Sequence, residues 1–397
     1  MRTDLRRPLR LSALVATVLA AALLSPAPAH AEGWNIPRDA RLTFVGHGYG
    51  HGHGMSQYGA EGAARQGLTY RQIMNFYYPG TSWGTASGQI RVWLKADTTR
   101  DLVVVRRAGL TVTSLKNRTR ITLPANRASH WRLTPRGANT DVAFRRDGRW
   151  RWFRTLAGEA EFGAAGKPIA LVTPSGTTRY RGRLRSAAAV AGSVERRTIN
   201  VLPFEQYLRG VVPLEMPALW SPAAVQSQSV AARTYAAYER NRPVRHYDIC
   251  DTTSCQVYGG FDAEHSASNA AIKATSQQIL THGGSAAFTQ FSASSGGWLS
   301  AGSMPYLVAK KDPYDGFSGN PVHRWTATLT DKQIERTFPT IGNLRRIEVT
   351  ERDGNGDWGG RVLTISFIGS SGTVTRNGTD ARFLLGLRSN WFTVRVG

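Results

Sequence analysis

Glu215 stands in the run Val211 to Trp220, VVPLEMPALW, between Pro213 and Pro217 and among Leu214, Met216 and Trp220. A carboxyl group held among apolar side chains resists ionisation, because desolvation penalises its charged form, and it then keeps a proton to donate near neutral pH. That is what a general acid requires. The same residue in a solvated loop before a helix would simply be favoured by the helix dipole, and spacing leaves both readings open. A glycosidase normally sets two carboxyl groups on opposite sides of the scissile bond. This motif supplies one, and the nearest other acids are Glu205, Asp248 and Asp251.

Two further clusters carry ligand-type side chains. Gly46 to Gly59 reads GHGYGHGHGMSQYG. If the segment is extended, a period of two sends His47, Tyr49, His51, His53 and Met55 to one side and leaves bare glycine backbone on the other. A sugar ring could lie flat on such a wall, whereas a metal site would need the histidines to face one point. HYDICDTTSCQVYGG holds His246, Cys250 and Cys255. In an oxidising compartment an even cysteine count favours a Cys250–Cys255 disulfide. The alternative, zinc on His246, Cys250 and Cys255, lacks an evident fourth ligand. DGNGDWGG, Asp353 to Gly360, alternates acids like a calcium loop but has Trp358 where the turn glycine belongs and Thr364 where the bidentate acid belongs, so it reads as a hairpin turn. No cofactor is expected.

These groups depend on the elements around them. Arg2, Arg6, Arg7 and Arg10, the apolar run Leu11 to Leu24 and Ala29-His30-Ala31 read as an export signal over residues 1–31, with Arg6-Arg7 hinting at twin-arginine export. No stretch reaches the ~20 apolar residues a bilayer span needs. The expectation is a secreted, wall-associated protein. A formal charge of +23 over 397 residues then points to anionic wall polymers as partners rather than nucleic acid. RRDGRWRWFR, Arg145 to Arg154, reads as a strand with solvent-facing arginines. Ser56 and the Thr69-x-x-Gln72 capping box start two short helices, the second running to Tyr78. Short alternating runs from Gln89 to Thr198 predict a small sheet or sandwich. Ser221-Pro222 starts a helix with an N-cap serine and N1 proline that runs to about Glu239. A further helix over Ala267–Gln277, a hairpin turned at Gly283-Gly284, and strands at 345–351, 362–369 and 390–396 complete an α+β chain.

The run from Val211 to Tyr238, VVPLEMPALWSPAAVQSQSVAARTYAAY, resembles the signature of the SpoIID/LytB family of sporulation and cell-wall proteins. CQVYGG (255–260), FSASSGG (291–297), LGLRSNWFTV (385–394) and Gly46 to Gly67 resemble further parts of it. The resemblance implies a SpoIID-like mixed core over 199–320 and a β-rich inserted subdomain over 89–198. A C-terminal β-rich part of the same domain covers 321–397, and a glycine/histidine-rich segment over 32–88 is permuted to the N-terminus, beside the C-terminal strands. It implies Glu215 as the catalytic glutamate of a lytic transglycosylase acting on peptidoglycan glycan strands stripped of peptide. One such group can protonate the leaving oxygen and then deprotonate the muramic-acid 6-hydroxyl. His51, Gln57, Arg233, Gln256, Tyr258, Ser294 and Ser295 fall at matched positions and are the expected substrate-binding residues. Of these, Arg233, like the matched Tyr235, fits helix packing equally well, and Ser294 and Ser295 fit loop positioning. Some sporulation-type relatives hold zinc near Cys250. The LytB side of the family implies a different role, an amidase enhancer or wall-binding module that assists a partner amidase.

Overall fold

A computed structural model describes residues 32–190, 193, 195–242 and 246–397. The expected export signal lies outside them. Among the described residues no helix is long and apolar enough to cross a membrane.

Helices and strands are mixed, as an α+β chain requires. Five helices concern the site: α1 (Gln57–Arg65), α2 (Tyr70–Tyr77), α3 (Phe204–Arg209), α4 (Val212–Glu215) and α5 (Pro222–Arg240). The Ser56 hydroxyl accepts from the Gly59 N–H at the start of α1, and Thr69 with Gln72 closes the capping box of α2. α5 is the axis of the main core. Its Ala224, Ala231, Ala232, Ala236 and Ala237 are buried, and their small side chains let α1, α2 and α4 pack closely on it. Its N-terminus differs from expectation. Ser221 makes no side-chain cap; its N–H and hydroxyl both donate to the buried Glu61 carboxylate, at 2.8 and 3.2 Å. An acid from α1 therefore caps α5 across 160 positions of sequence.

Residues 89–203 supply most of two sheets. One has seven strands, in the order Ile249–Cys250, Gln89–Trp93, Arg196–Pro203, Arg183–Ala188, Ala160–Gly163, Thr111–Ser114, Arg120–Thr122. The other has six, from Arg149–Ala157 at one edge to Gly176–Tyr180 at the other. Their inward side chains, Trp131, Leu133, Phe162 and Leu184 among them, join one hydrophobic cluster with α5.

The two ends of the described chain fold together. Arg41–His47 runs between Arg324–Thr330 and Phe392–Val396, antiparallel to both, and Glu32–Asn35 pairs with Leu344–Arg352. Leu42, Phe44, Ile347, Phe367 and Phe392 form a second hydrophobic cluster there. After His47 the backbone departs from the extended form expected of it: Gly48, Gly50, Gly52 and Gly54 take φ of 73°, 112°, 78° and 66°, a region glycine enters at little cost. His47 consequently packs apart, against Trp358 and Trp391, while His51 and His53 stay together. The bare glycine side is covered as well, since a Cβ at Gly54 would sit 2.1 Å from the Gln290 carbonyl oxygen and one at Gly52 would sit 2.2 Å from the Arg361 guanidinium. The glycines allow backbone to pack on protein, and they offer no open wall to a sugar.

Candidate functional site

Glu215 is the last residue of α4, a single turn that begins beside Pro213 and ends where Met216 becomes extended and buried. Two contacts fix it. Gln57 Nε2, from the first position of α1, donates to the Glu215 backbone oxygen at 2.8 Å, and the Val257 N–H donates to Oε1 at 2.9 Å. Among the described residues Oε2 accepts no hydrogen bond and no cation pairs with the carboxylate. Burial pushes the carboxyl above its ordinary value, with the Val257 N–H pulling the other way. The group opens into a cavity of about 280 Å³ lined by Glu215, His51, Tyr235, Cys255, Val257 and Phe291, with Thr253, Ser254 and Gln290 at its rim. Glu215 is the one carboxyl group among these lining residues. The arrangement can hold a proton against a bound polar atom and release it there.

Of the residues expected to bind substrate, the cavity brings only His51 to Glu215. Burial, the adjacent His53 ring, Arg361 and Arg382 push the His51 pKa down to about 3, so its imidazole is neutral. His51 Nδ1 accepts from the His53 N–H at 2.9 Å and the two rings stack with centroids 4.9 Å apart. The other expected positions make their contacts within the protein. Gln57 directs its amide to Glu215 and Gln228 and is 8% exposed, so it positions the acid from beneath. Arg233 is fully buried in an ion pair with Glu205 and donates to the Ile272 and Gln278 carbonyls. Gln256 is enclosed between Tyr207 and the Ala232 carbonyl, and the Tyr258 hydroxyl donates to Asn200. Ser294 and Ser295 are buried donors to Asp315 and Asp312. None of these five reaches the cavity.

Of the other acids, Glu205 pairs with Arg233 and Asp248 with Arg91, while Asp251, also raised in pKa by burial, accepts the Lys95 N–H and does not line this cavity. Cys250 and Cys255 are joined as a disulfide, which fixes the 250–255 loop on one side of the cavity. Their sulfurs are thus not free to ligate a metal, and the third ligand considered for zinc, His246, turns to Arg197, with Nε2 3.3 Å from Nη1. Among the described residues no group of three or more His, Cys, Asp or Glu side chains is placed to hold a metal ion.

Sequence reasoning missed Val257, Gln290 and Phe291 as lining residues, and it missed a buried polar network behind the site. Asp315 accepts from Ser56, Ser294, Asn320 and His323 and from the Ser295 and Gly296 N–H groups, and Asp312 accepts from Tyr77 and Ser295. The sequence features that feed this network are the polar run FSASSGG, 291–297, and the aspartates Asp312 and Asp315 further along the chain.

Residues 193–282 match the SpoIID family, described as stage II sporulation protein, and this stretch includes Glu215, Tyr235, Cys255 and Val257. Over 134 residues, 32% of this chain, the sequence is 41% identical to the amidase enhancer of Bacillus subtilis (strain 168), covering 17% of that protein. Over 216 residues, 48% of this chain, it is 28% identical to stage II sporulation protein D of Bacillus amyloliquefaciens, covering 60% of it. The Bacillus subtilis (strain 168) stage II sporulation protein D is 27% identical over 219 residues, 60% of its length. The chain therefore spans less than two thirds of each of these relatives.

Proposed function

We propose that this chain, which belongs to the SpoIID/LytB family, acts on the cell wall as a lytic transglycosylase that cuts peptidoglycan glycan strands with Glu215 as acid and base. The observation that carries this reading is the Glu215 carboxyl itself: half-buried, raised in pKa, held by one N–H on Oε1, with Oε2 unengaged beside the cavity. Protonated Glu215 gives its proton to the glycosidic oxygen as the C1–O bond breaks. The carboxylate so formed then takes the proton of the muramic-acid 6-hydroxyl as that oxygen bonds to C1, closing an anhydro ring. Atoms balance with no water consumed, so a second carboxylate is not needed. Neutral His51 and Phe291 line the same cavity and bring no charge to the acid. The protein is read as exported, with peptidoglycan and anionic wall polymers as its surroundings.

A second reading has its own support. The relative with 41% identity is named an amidase enhancer, which favours a chain that stimulates a wall amidase without cutting glycan. One experiment separates the two: incubate the purified protein with peptide-free glycan strands and analyse the ends by mass spectrometry. Anhydro-muramic ends are expected. Hydrolytic reducing ends would require a second carboxylate, and uncut glycan together with a stimulated amidase would select the enhancer reading.

A further inference from the structure

The arginine-rich run Arg145 to Arg154 takes no part in the Glu215 site. Asn139–Arg146 and Arg149–Ala157 form an antiparallel hairpin whose second strand is the outer strand of the six-stranded sheet. Arg149 and Arg151 lie opposite Arg146 and Phe144. The register then shifts, Phe153 is left out of the pairing, and Arg154 falls opposite Val142. Arg146, Phe144 and Val142 alternate along their strand, so Arg149, Arg151 and Arg154 stand in one file on one face. Without the extra residue Phe153 would occupy the third place in that file. All three arginines are exposed, and none has an ion-pair partner among the described residues. The tryptophans fall on the opposite face: Trp152 is 65% exposed, and Trp150 is covered by the Arg132 guanidinium at 4.4 Å from its ring. At the hairpin's end His130 is pushed below its ordinary pKa by burial and by the charge of Arg145.

We propose that this file of arginines is a docking strip for a linear polyol-phosphate polymer. A guanidinium binds phosphate through two parallel N–H bonds, which a lysine cannot do. Arg149 and Arg151 are alternate strand residues, about 6.8 Å apart, and Arg154 follows across the bulge, so the strip presents a short row of three charges to a polymer with repeated phosphodiesters. Nucleic acid fits less well, because its bases need aromatic faces beside the phosphates, and here one tryptophan is covered and the other faces away from the file. The strip is separate from Glu215 and does not depend on the chemistry proposed there.

The test is binding of a labelled glycerol-phosphate oligomer to the full chain, followed by fluorescence anisotropy across a salt series. The triple variant Arg149→Ser, Arg151→Ser, Arg154→Ser should bind tenfold or more weakly, on the order of what three lost phosphate contacts cost at low salt, and its log–log salt slope should be shallower by roughly 0.7–0.9 per arginine. A control triple at exposed arginines of the C-terminal part, Arg336→Ser, Arg345→Ser and Arg376→Ser, removes the same charge and should change affinity by no more than about twofold, because charges beyond a Debye length are screened. If the serine triple fails to fold, the Arg→Lys triple serves instead, keeping charge but losing paired N–H bonds, with several-fold weaker binding expected. Equal losses in the strip and control triples would overturn the proposal in favour of bulk charge. Unchanged affinity with new self-association would make the arginines edge guards only. Tighter binding of a single-stranded oligonucleotide, lost in the same triple, would assign the strip to nucleic acid.

Discussion

Glu215 and Asp315 are both carboxyl groups withdrawn from water, and the molecule treats them in opposite ways. Around Asp315, burial pushes the pKa upward, yet hydrogen bonds from His323, Ser56 and Ser294 outweigh it and the group ends below its ordinary value. Around Glu215 burial meets a single N–H, from Val257, and the group ends above it. Depth of burial alone therefore does not set the direction of the shift; the donors and charges gathered around each carboxyl do. Asp315 knits Ser56, the Ser294–Gly296 turn and His323 into one rigid unit. That unit adjoins the segment from which His51 reaches the cavity. Glu215 is left with an unengaged oxygen where a ligand would lie.

The largest effect is expected at the under-supplied carboxyl. Glu215→Gln keeps shape and the Val257 contact but has no proton to exchange, so glycan cleavage should fall by about 10²–10⁴-fold with the fold intact. Product analysis with circular dichroism as the control measures this, and an active variant would remove Glu215 from the chemistry. The over-supplied carboxyl should respond in stability instead. Asp315→Ala strands several buried donors and leaves His323 without its partner at 2.8 Å, which should cost about 3 kcal/mol or more in chemical denaturation. A stable Asp315→Ala protein would mean that the network is ornamental and the contrast with Glu215 is empty.

Much of the first carboxyl was legible in the sequence and almost none of the second. Glu215 announces itself locally, since the prolines and apolar neighbours that desolvate it lie within a few residues. Helix starts at Ser56 and Thr69 were legible for the same reason: cap and capped group are three residues apart. Asp315 meets Ser56 across 259 positions, and no local pattern carries that. The surroundings of the expected sugar contacts were no more legible. Arg233 lies on a helix face that alternation cannot orient, and Glu205, Ile272 and Gln278 claim its whole guanidinium. The period-two reading of the histidines failed because glycine permits positive φ, and Gly48 to Gly54 use it. Pairing of Arg41–His47 with the C-terminal strands followed only from the family resemblance, since the strands themselves carry no mark of their neighbours.

Converting one environment toward the other gives the next prediction. Ser254 is exposed at the cavity rim, and Ser254→Lys would bring a cation to a carboxyl that has none. An opposite charge within ~4–6 Å favours the ionised form and lowers a carboxyl pKa by about one unit or more. The alkaline limb of the pH dependence of kcat/KM reports loss of the protonated acid, so it should move down by about one pH unit, with roughly tenfold less activity above it. An unmoved limb would show that Glu215 does not titrate in that limb.

The smallest effect tests the intermediate case, Asp312. It is buried beside Asp315, and burial together with that neighbouring charge pushes its pKa up to about 7 despite donors from Ser295, Tyr314 and Tyr77. The folded chain therefore holds a proton that the unfolded chain releases near the ordinary value of 3.8. Its stabilising contribution is complete below that lower value and is lost as pH rises to about 7. Asp315 has the reverse sign, its contribution being lost only as pH falls through its lowered pKa. Asp312→Asn cannot ionise, retains one acceptor for Tyr77 or Ser295, and places an amide donor near Asp315. Relative to the natural protein, its thermal midpoint should rise between pH 5 and pH 8, by about 2–4 °C for each kcal/mol of relieved cost. Glu215 titrates in both proteins, so its own raised pKa cancels in the difference. A difference that is flat with pH would mean Asp312 is ionised throughout, and the charge on Asp315 would then be shared by two carboxylates that the donors around them fully offset.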